Sequence, residues 1–224
     1  AYYPVLWKPD GEGIAFYYFE FLAEQKDPYL VTYHPETGEV TTIDFCRCSQ
    51  IALSREGTEV LVVDSPEGTF QLSWFNLGTG EMRTEISIVK RDPQEHRYRD
   101  FSLSPDGRTL LLGDRQGSLF WYEIGSGEAP ELFLSLAASP AWSPDGTKLV
   151  YVQLRSASTL DYYSAQLVIA DADGSSPEPL FPETQPVGML SPAWSPDGTQ
   201  IALLYGTRHS NDLLIAEVPE RLRP

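Results

Sequence analysis

Apolar residues in this chain fall into short runs cut by Gly, Pro and Asp. Five of the runs follow the same punctuation. Ile14-Ala15-Phe16, Val60-Leu61-Val62, Leu110-Leu111-Leu112, Leu149-Val150-Tyr151 and Ile201-Ala202-Leu203 each begin three positions after a glycine. Those glycines are Gly11, Gly57, Gly107, Gly146 and Gly198, spaced 46, 50, 39 and 52 residues apart. Four of them close a Pro-Asp-Gly turn signal: Asp10-Gly11, Asp106-Gly107, Asp145-Gly146 and Asp197-Gly198, each after a proline. Pro presets φ at the second turn position, Asp caps the turn through its side chain, and Gly supplies the positive φ that follows. Apolar or small residues stand before the turn as well, so each unit reads strand, tight turn, strand.

A second turn signal follows in four units, as Glu36-Thr37-Gly38-Glu39, Gly78-Thr79-Gly80-Glu81, Gly125-Ser126-Gly127-Glu128 and Asp171-Ala172-Asp173-Gly174. Each ends a further strand-like run, such as Gln166-Leu167-Val168-Ile169-Ala170. Every unit therefore holds two hairpins, or four strands in meander order. No window combines a 3.6-residue period, capping and freedom from Pro and Gly, so no helix is expected. Four-stranded sheets repeating every 40 to 50 residues or so are the mark of a β-propeller. The expected fold is all-β, a propeller of about five four-stranded antiparallel blades, possibly part of a larger ring, forming a single domain over residues 1–224. The blades are expected near 1–45, 46–90, 91–135, 136–183 and 184–224, with second strands beginning near Ile14, Val60, Leu110, Leu149 and Ile201. The large residue before each turn is Trp7, Leu53, Leu103, Trp142 or Trp194. Its in-register recurrence points to packing between blades; a sugar-stacking ring is the alternative for the tryptophans.

Trp-Ser-Pro-Asp-Gly-Thr followed by an apolar triplet, with Asp-x-Asp-Gly or Thr-Gly-Glu some way downstream, resembles the TolB-like Pro-Asp-Gly propeller repeat. The resemblance runs from Tyr2 to Val218. It implies protein–protein binding, often in the bacterial envelope, and hence an extracytoplasmic or periplasmic place, with the cytoplasm as the alternative. Propeller domains of the prolyl oligopeptidase family share the repeat but attach an α/β-hydrolase domain, and nothing in this chain resembles one. The matched residues are turns and packing positions, which speak for fold more than function. Two departures bear on the structure. The second unit reads Ser54-Arg55-Glu56-Gly57, so an altered turn is expected there. After Val218 there is room for little of a fourth strand, so either Arg221 to Pro224 forms a short outer strand or the chain is cut from a longer propeller.

The chain has 224 residues with 16 Lys and Arg against 32 Asp and Glu, a formal net charge of −16. That balance opposes phosphate backbones and anionic membrane surfaces. No nucleic-acid partner is expected, and no apolar run is long enough for a membrane-spanning helix; no small-molecule ligand is indicated. Cys46 and Cys48 are the two cysteines; their spacing fits no haem or paired zinc motif, and buried structural thiols are the expectation. His34, His96 and His209 share no metal-ligand spacing. His209, Ser210 and Asp212 hold the letters of a catalytic triad, but neighbours in sequence rarely reach triad geometry. Asp171-Ala172-Asp173-Gly174 opens like a calcium loop, yet its glycine comes too early for an EF-hand and a turn is the better reading. No cofactor, metal or catalytic residue is assigned, and an interaction module is expected rather than an enzyme. The rivals are a propeller domain of a larger hydrolase or peptidase and a carbohydrate-binding propeller.

The Pro-Asp-Gly turns share one face, which the repeat explains as structural. The connections of uneven length lie on the other face and are the expected seat of function. The residues singled out there are Arg91, His96, Arg97, Tyr98, Arg99, Tyr162, Tyr163, Arg208 and His209. They gather four arginines in an acidic chain, which invites an acidic protein partner. The competing explanation is that these arginines neutralise Asp92, Glu95, Asp100 and Asp212 at little energetic gain.

Overall fold

The computed structural model describes residues 5–7, 14–18, 29–44, 51–64, 69–89, 98, 100–114, 116–155, 165–181, 188–206 and 211–224. The chain forms two compact units, Ala1–Glu95 and His96–Pro224. The first holds two four-stranded sheets. One comprises β1 (Val5–Trp7), β2 (Ile14–Tyr18), β3 (Tyr29–His34) and β4 (Glu39–Asp44). The other comprises β5 (Ile51–Leu53), β6 (Glu59–Asp64), β7 (Thr69–Asn76) and β8 (Met82–Val89).

The second unit holds three sheets. β9 (Asp100–Leu103), β10 (Thr109–Gly113), β11 (Ser118–Glu123) and β12 (Glu131–Ser135) form the first. β13 (Ala137–Trp142), β14 (Lys148–Gln153), β15 (Gln166–Asp171) and β16 (Glu178–Pro179) form the second. β17 (Gly188–Trp194), β18 (Gln200–Gly206) and β19 (Asn211–Glu217) form the third, which has three strands. All pairings are antiparallel between consecutive strands, so each sheet is a meander. The strands that follow the turns begin at or one residue before the positions expected from sequence.

The meander follows from the turns. In Ser104-Pro105-Asp106-Gly107 the Gly107 N–H donates to the Ser104 carbonyl at 2.8 Å, and Gly107 has φ of 74°. That left-handed conformation is open to glycine at little cost and strained for other residues. The turns at Gly146 and Gly198 repeat it with φ of 76° and 69°. The turn of the second repeat corrects the expectation of an altered geometry. Gly57 N–H still donates to the Ser54 carbonyl at 2.9 Å, and Gly57 has φ of 69°. Ser and Gly alone carry the conformation, and Arg55-Glu56 is accommodated without Pro-Asp.

Burial in the second unit comes from sheet on sheet. Along β14 and β15, Val150, Val152, Leu167 and Ile169 pack with Ile201, Leu203, Ala216 and Val218 of the following sheet. The alternate residues Tyr151, Val168 and Ala170 pack with Leu119 of the preceding sheet, beside Phe133 and Leu134. Period-two alternation thus delivers one set of side chains to each neighbour. With both faces covered, β14 and β15 read as nearly continuous apolar runs. Burying one such Leu or Val stabilises by roughly 1.5–3 kcal/mol relative to exposure.

The C-terminal tail does not take the first of the two forms expected for it. Glu220–Leu222 form a single 3-10 turn rather than an outer strand. Leu222 is buried in the core shared with the β13–β16 sheet, and Arg221 pairs with Glu178 at 3.2 Å. A side chain at Gly198 would run into the ring of Pro224, so the tail also covers the last turn.

Candidate binding site

Each described Pro-Asp-Gly turn is a closed hydrogen-bond circuit. Ser104 Oγ donates to Asp106 Oδ1 at 2.6 Å and accepts the Thr109 N–H at 2.9 Å, while Asp106 Oδ1 also accepts the Arg108 N–H at 3.1 Å. Ser143 and Asp145 repeat the circuit with Lys148 and Thr147, and Ser195 and Asp197 repeat it with Gln200 and Thr199. Ser54 keeps its half, accepting the Glu59 N–H at 3.1 Å. The bonds favour the ionised carboxylates. The Ser195 hydroxyl, then the Thr199 backbone N–H and hydroxyl, hold Asp197 down to about 2. Asp106 is lowered first by the Ser104 hydroxyl and then by the Arg108 N–H. At Asp145 partial burial is the largest single influence and pushes upward, but the bonds from Thr147 and Ser143 together outweigh it and the carboxyl is lowered. Carboxylates held this way cap turns well and make poor general acids at neutral pH.

Between the turns of the second unit's first two sheets lies a cleft of about 250 Å³, lined by Ser104, Pro105, Asp106, Thr109, Trp121, Trp142, Asp145, Gly146 and Ala172. That is below the usual range for small-molecule pockets, about 300–1,000 Å³. Its aromatic wall is packed rather than open. Trp121 meets Trp142 edge to face at 5.9 Å and Phe133 at 5.5 Å. The Trp142 indole N–H donates to the Ser102 carbonyl at 3.2 Å, and the Trp194 indole N–H donates to the Ala141 carbonyl at 3.3 Å. In both cases the acceptor is the residue before the equivalent pre-turn position of the preceding sheet. The half-buried tryptophans thus latch one sheet to the next, which supports packing over sugar stacking at these two positions.

Of the binding residues singled out from the sequence, Tyr98 is described. Its ring is half-buried and stands edge-on to Phe120 at 5.5 Å. Burial first, then the charge of Asp114, push its phenol up to about 12. It therefore stays protonated near neutral pH. Arg91, His96, Arg97, Arg99, Tyr162, Tyr163, Arg208 and His209 lie outside the described residues, as do Asp10, Gly11, Cys46 and Cys48. Asp171 ion-pairs with Lys148 at 2.6 Å, and Gly174 closes the turn by donating to the Asp171 carbonyl at 2.8 Å, as the turn reading requires. Among the described residues no group of three or more His, Cys, Asp and Glu could hold a metal ion.

Three features escaped the sequence reading. Asp114 is buried and caps the β10–β11 connection, accepting the Gln116 and Ser118 N–H groups at 2.9 and 2.8 Å. Its Asp-x-x-Gly pattern was the available signal. Ser139 and Ser191 hold φ of 50° and 52° at bulges in β13 and β17. Ser139 Oγ also reaches back to Asp100 Oδ2 at 3.3 Å.

Comparison with known proteins identifies the repeat. No family model matches the chain. It is 43% identical over 63 residues to the Tol-Pal system protein TolB of Coxiella burnetii, covering 28% of this chain and 14% of that protein. It is 39% identical over 134 residues to the TolB of Hamiltonella defensa, covering 58% of this chain and 29% of that protein. The crystal structure of TolB from Acinetobacter baumannii superposes with a TM-score of 0.69 at 21% identity, over 99% of this chain and 53% of that one. An oligogalacturonate lyase in complex with manganese gives a TM-score of 0.63 at 15% identity, over 97% of this chain and 62% of that one. The matches span less than a third of the length of these curated relatives. The chain is a TolB-like β-propeller.

Proposed function

We propose that the chain is a non-catalytic protein-interaction module of the bacterial cell envelope, working outside the cytoplasm. The observation that carries this reading is the TolB-like repeat, similar in sequence over 134 residues and in fold over 99% of the chain. The chemistry of the described residues agrees with it. The repeated carboxylates are committed to capping turns, and their lowered pKa values suit permanent charge rather than proton transfer.

The binding face is the one opposite the Pro-Asp-Gly turns. Arg91, Arg97 and Arg99, with Arg208, stand in connections whose length the repeat does not constrain. His96, Tyr98, Tyr162, Tyr163 and His209 accompany them. Arg and Tyr are residue types enriched among binding hot spots. The partner is a protein with an acidic docking surface.

A second reading, a propeller enzyme or carbohydrate-binding propeller, has one observation on its side: the fold is shared with an oligogalacturonate lyase. At 15% identity that likeness concerns the fold alone.

Capture of partners from the native organism, followed by titration with the Arg97→Glu/Arg99→Glu chain, tests the proposal. Weakened binding with a shallower salt dependence is expected. Unchanged affinity and salt dependence for every captured partner would remove the patch from the binding site. Turnover on a hydrolase panel, abolished by a single substitution, would replace the module reading with the enzyme.

A further inference from the structure

The cleft between the turns of the β9–β12 and β13–β16 sheets has a lining that the repeat does not require. It lies wholly within the second unit. A side chain at Gly146 would meet the Pro105 ring at 3.5 Å, so the two turns stand side by side. Two carboxylates, Asp106 and Asp145, and two half-buried indoles, Trp121 and Trp142, line the space, and no lysine, arginine or histidine does. Trp121 pairs with the middle residue of its apolar triplet, Leu111. At the same register stand Ile169 opposite Val150, Ile215 opposite Ala202 and Thr32 opposite Ala15, with Trp74 opposite Leu61 as the other aromatic. The fold thus accepts isoleucine or threonine where Trp121 stands. At about 250 Å³ the cleft is small for a metabolite and suits a single side chain.

The turn circuits leave the two carboxylates with acceptor capacity to spare. Asp106 takes its described bonds through Oδ1, from the Ser104 hydroxyl and the Arg108 N–H. Asp145 Oδ2 accepts the Thr147 hydroxyl at 3.0 Å. A carboxylate oxygen can accept two bonds, so both residues can take more. The nearby cations do not fill the space. Arg108 adds charge beside Asp106 without lining the cleft, and Lys148 is held by Asp171 at 2.6 Å.

We infer that this cleft receives an arginine side chain of a protein partner. A guanidinium is planar and always charged, reaches carboxylate oxygens through a fork of N–H donors, and stacks on aromatic rings. The compact lysine ammonium lacks that fork. Free arginine brings its own carboxylate toward the two aspartates and is repelled. The net charge of −16 draws a basic segment toward the chain from a distance. The protein origin of the arginine rests on the interaction-module reading, but the preference of the cleft for a guanidinium stands without it. Neither depends on the patch around Arg97.

Titration of the whole chain, isotope-labelled at tryptophan, with a capped alanine–arginine–alanine tripeptide tests this. Saturable shifts of the Trp121 and Trp142 indole N–H signals are expected. Citrulline in place of arginine keeps the shape and drops the charge. It weakens binding by about tenfold or more, the worth of one charge-assisted hydrogen bond. The lysine tripeptide and free arginine also bind more weakly. Asp106→Asn keeps an acceptor for the turn and lowers affinity by about tenfold. Trp121→Ile installs the residue that β15 and β19 carry there and lowers affinity by about threefold, followed at Trp142. The Arg97→Glu/Arg99→Glu chain binds the tripeptide like wild type, so this inference and the loop-face proposal fail separately. No saturable shift at either indole, a citrulline peptide, lysine peptide or free arginine that binds as tightly, or unchanged affinity in both cleft variants would each overturn the inference.

Discussion

The β13–β16 and β17–β19 sheets share one repeat and one register yet differ in what they bury. Val150, Val152, Leu167 and Ile169 lie in a core built jointly with the next sheet. Their register equivalents are Ala202, Leu204, Leu213 and Ile215, and the last two are largely exposed. The sequences of β15 and β19, Gln166-Leu167-Val168-Ile169-Ala170-Asp171 and Asn211-Asp212-Leu213-Leu214-Ile215-Ala216-Glu217, are apolar to a similar degree. The difference therefore lies in the neighbour and not in the strand. A repeat sheet supplies two apolar faces, and its stability depends on what covers each.

The largest expected effect of breaking this pairing comes from Leu167→Ala. The side chain is fully buried, and its loss leaves a cavity costing about 2–5 kcal/mol. Leu213→Ala, at the equivalent exposed position, changes stability by roughly 0.5 kcal/mol or less. Urea denaturation of both variants measures the contrast.

Trp194→Phe acts on the joint between the two sheets. It removes the indole N–H bond to the Ala141 carbonyl and part of a half-buried ring, at a cost of about 1–2 kcal/mol. Trp142→Phe breaks the corresponding bond to Ser102 and is expected to cost a similar amount. Thermal unfolding with a near-ultraviolet signal reads both.

Turn hydroxyls sharpen the comparison further. Ser143 is fully buried and Ser195 is partly exposed, although their hydrogen bonds are the same. Ser143→Ala leaves a buried N–H on Lys148 without its acceptor and costs about 1–2 kcal/mol, while at Ser195 water substitutes and the cost is about half that.

The smallest effect is one of pH. Asp197 has its carboxyl lowered from 3.8 to about 2 in the folded chain. Its contribution is therefore fully present above the unfolded value and is lost as pH falls from about 4 toward about 2. Asp197→Asn should lower the melting temperature slightly at neutral pH, and the difference from wild type should vanish across that acidic window.

Much of this could be read from the chain. The turns around Gly107, Gly146 and Gly198 specify their own conformation through local bonds, so the repeat and the strand starts follow from sequence. The turn at Gly57 was misjudged because the proline and aspartate were given more weight than the serine and glycine that hold it. The left-handed Ser139 and Ser191 were not legible, since serine is not a residue that favours that conformation. Nor could the covered and bare faces be told apart, because Leu167 and Leu213 look alike until a neighbouring sheet is placed beside one of them. The loop-face residues around Arg97 stand outside any periodic pattern, so their role rests on charge and residue type.

That each sheet draws its burial from the next repeat is tested most directly by native-state hydrogen exchange. Amides of β14 and β15, covered on both faces, should exchange only through global unfolding. Amides of β19, and above all those of Leu213 and Ile215, should exchange by local opening at far lower free energy. Equal protection of β15 and β19 would contradict it.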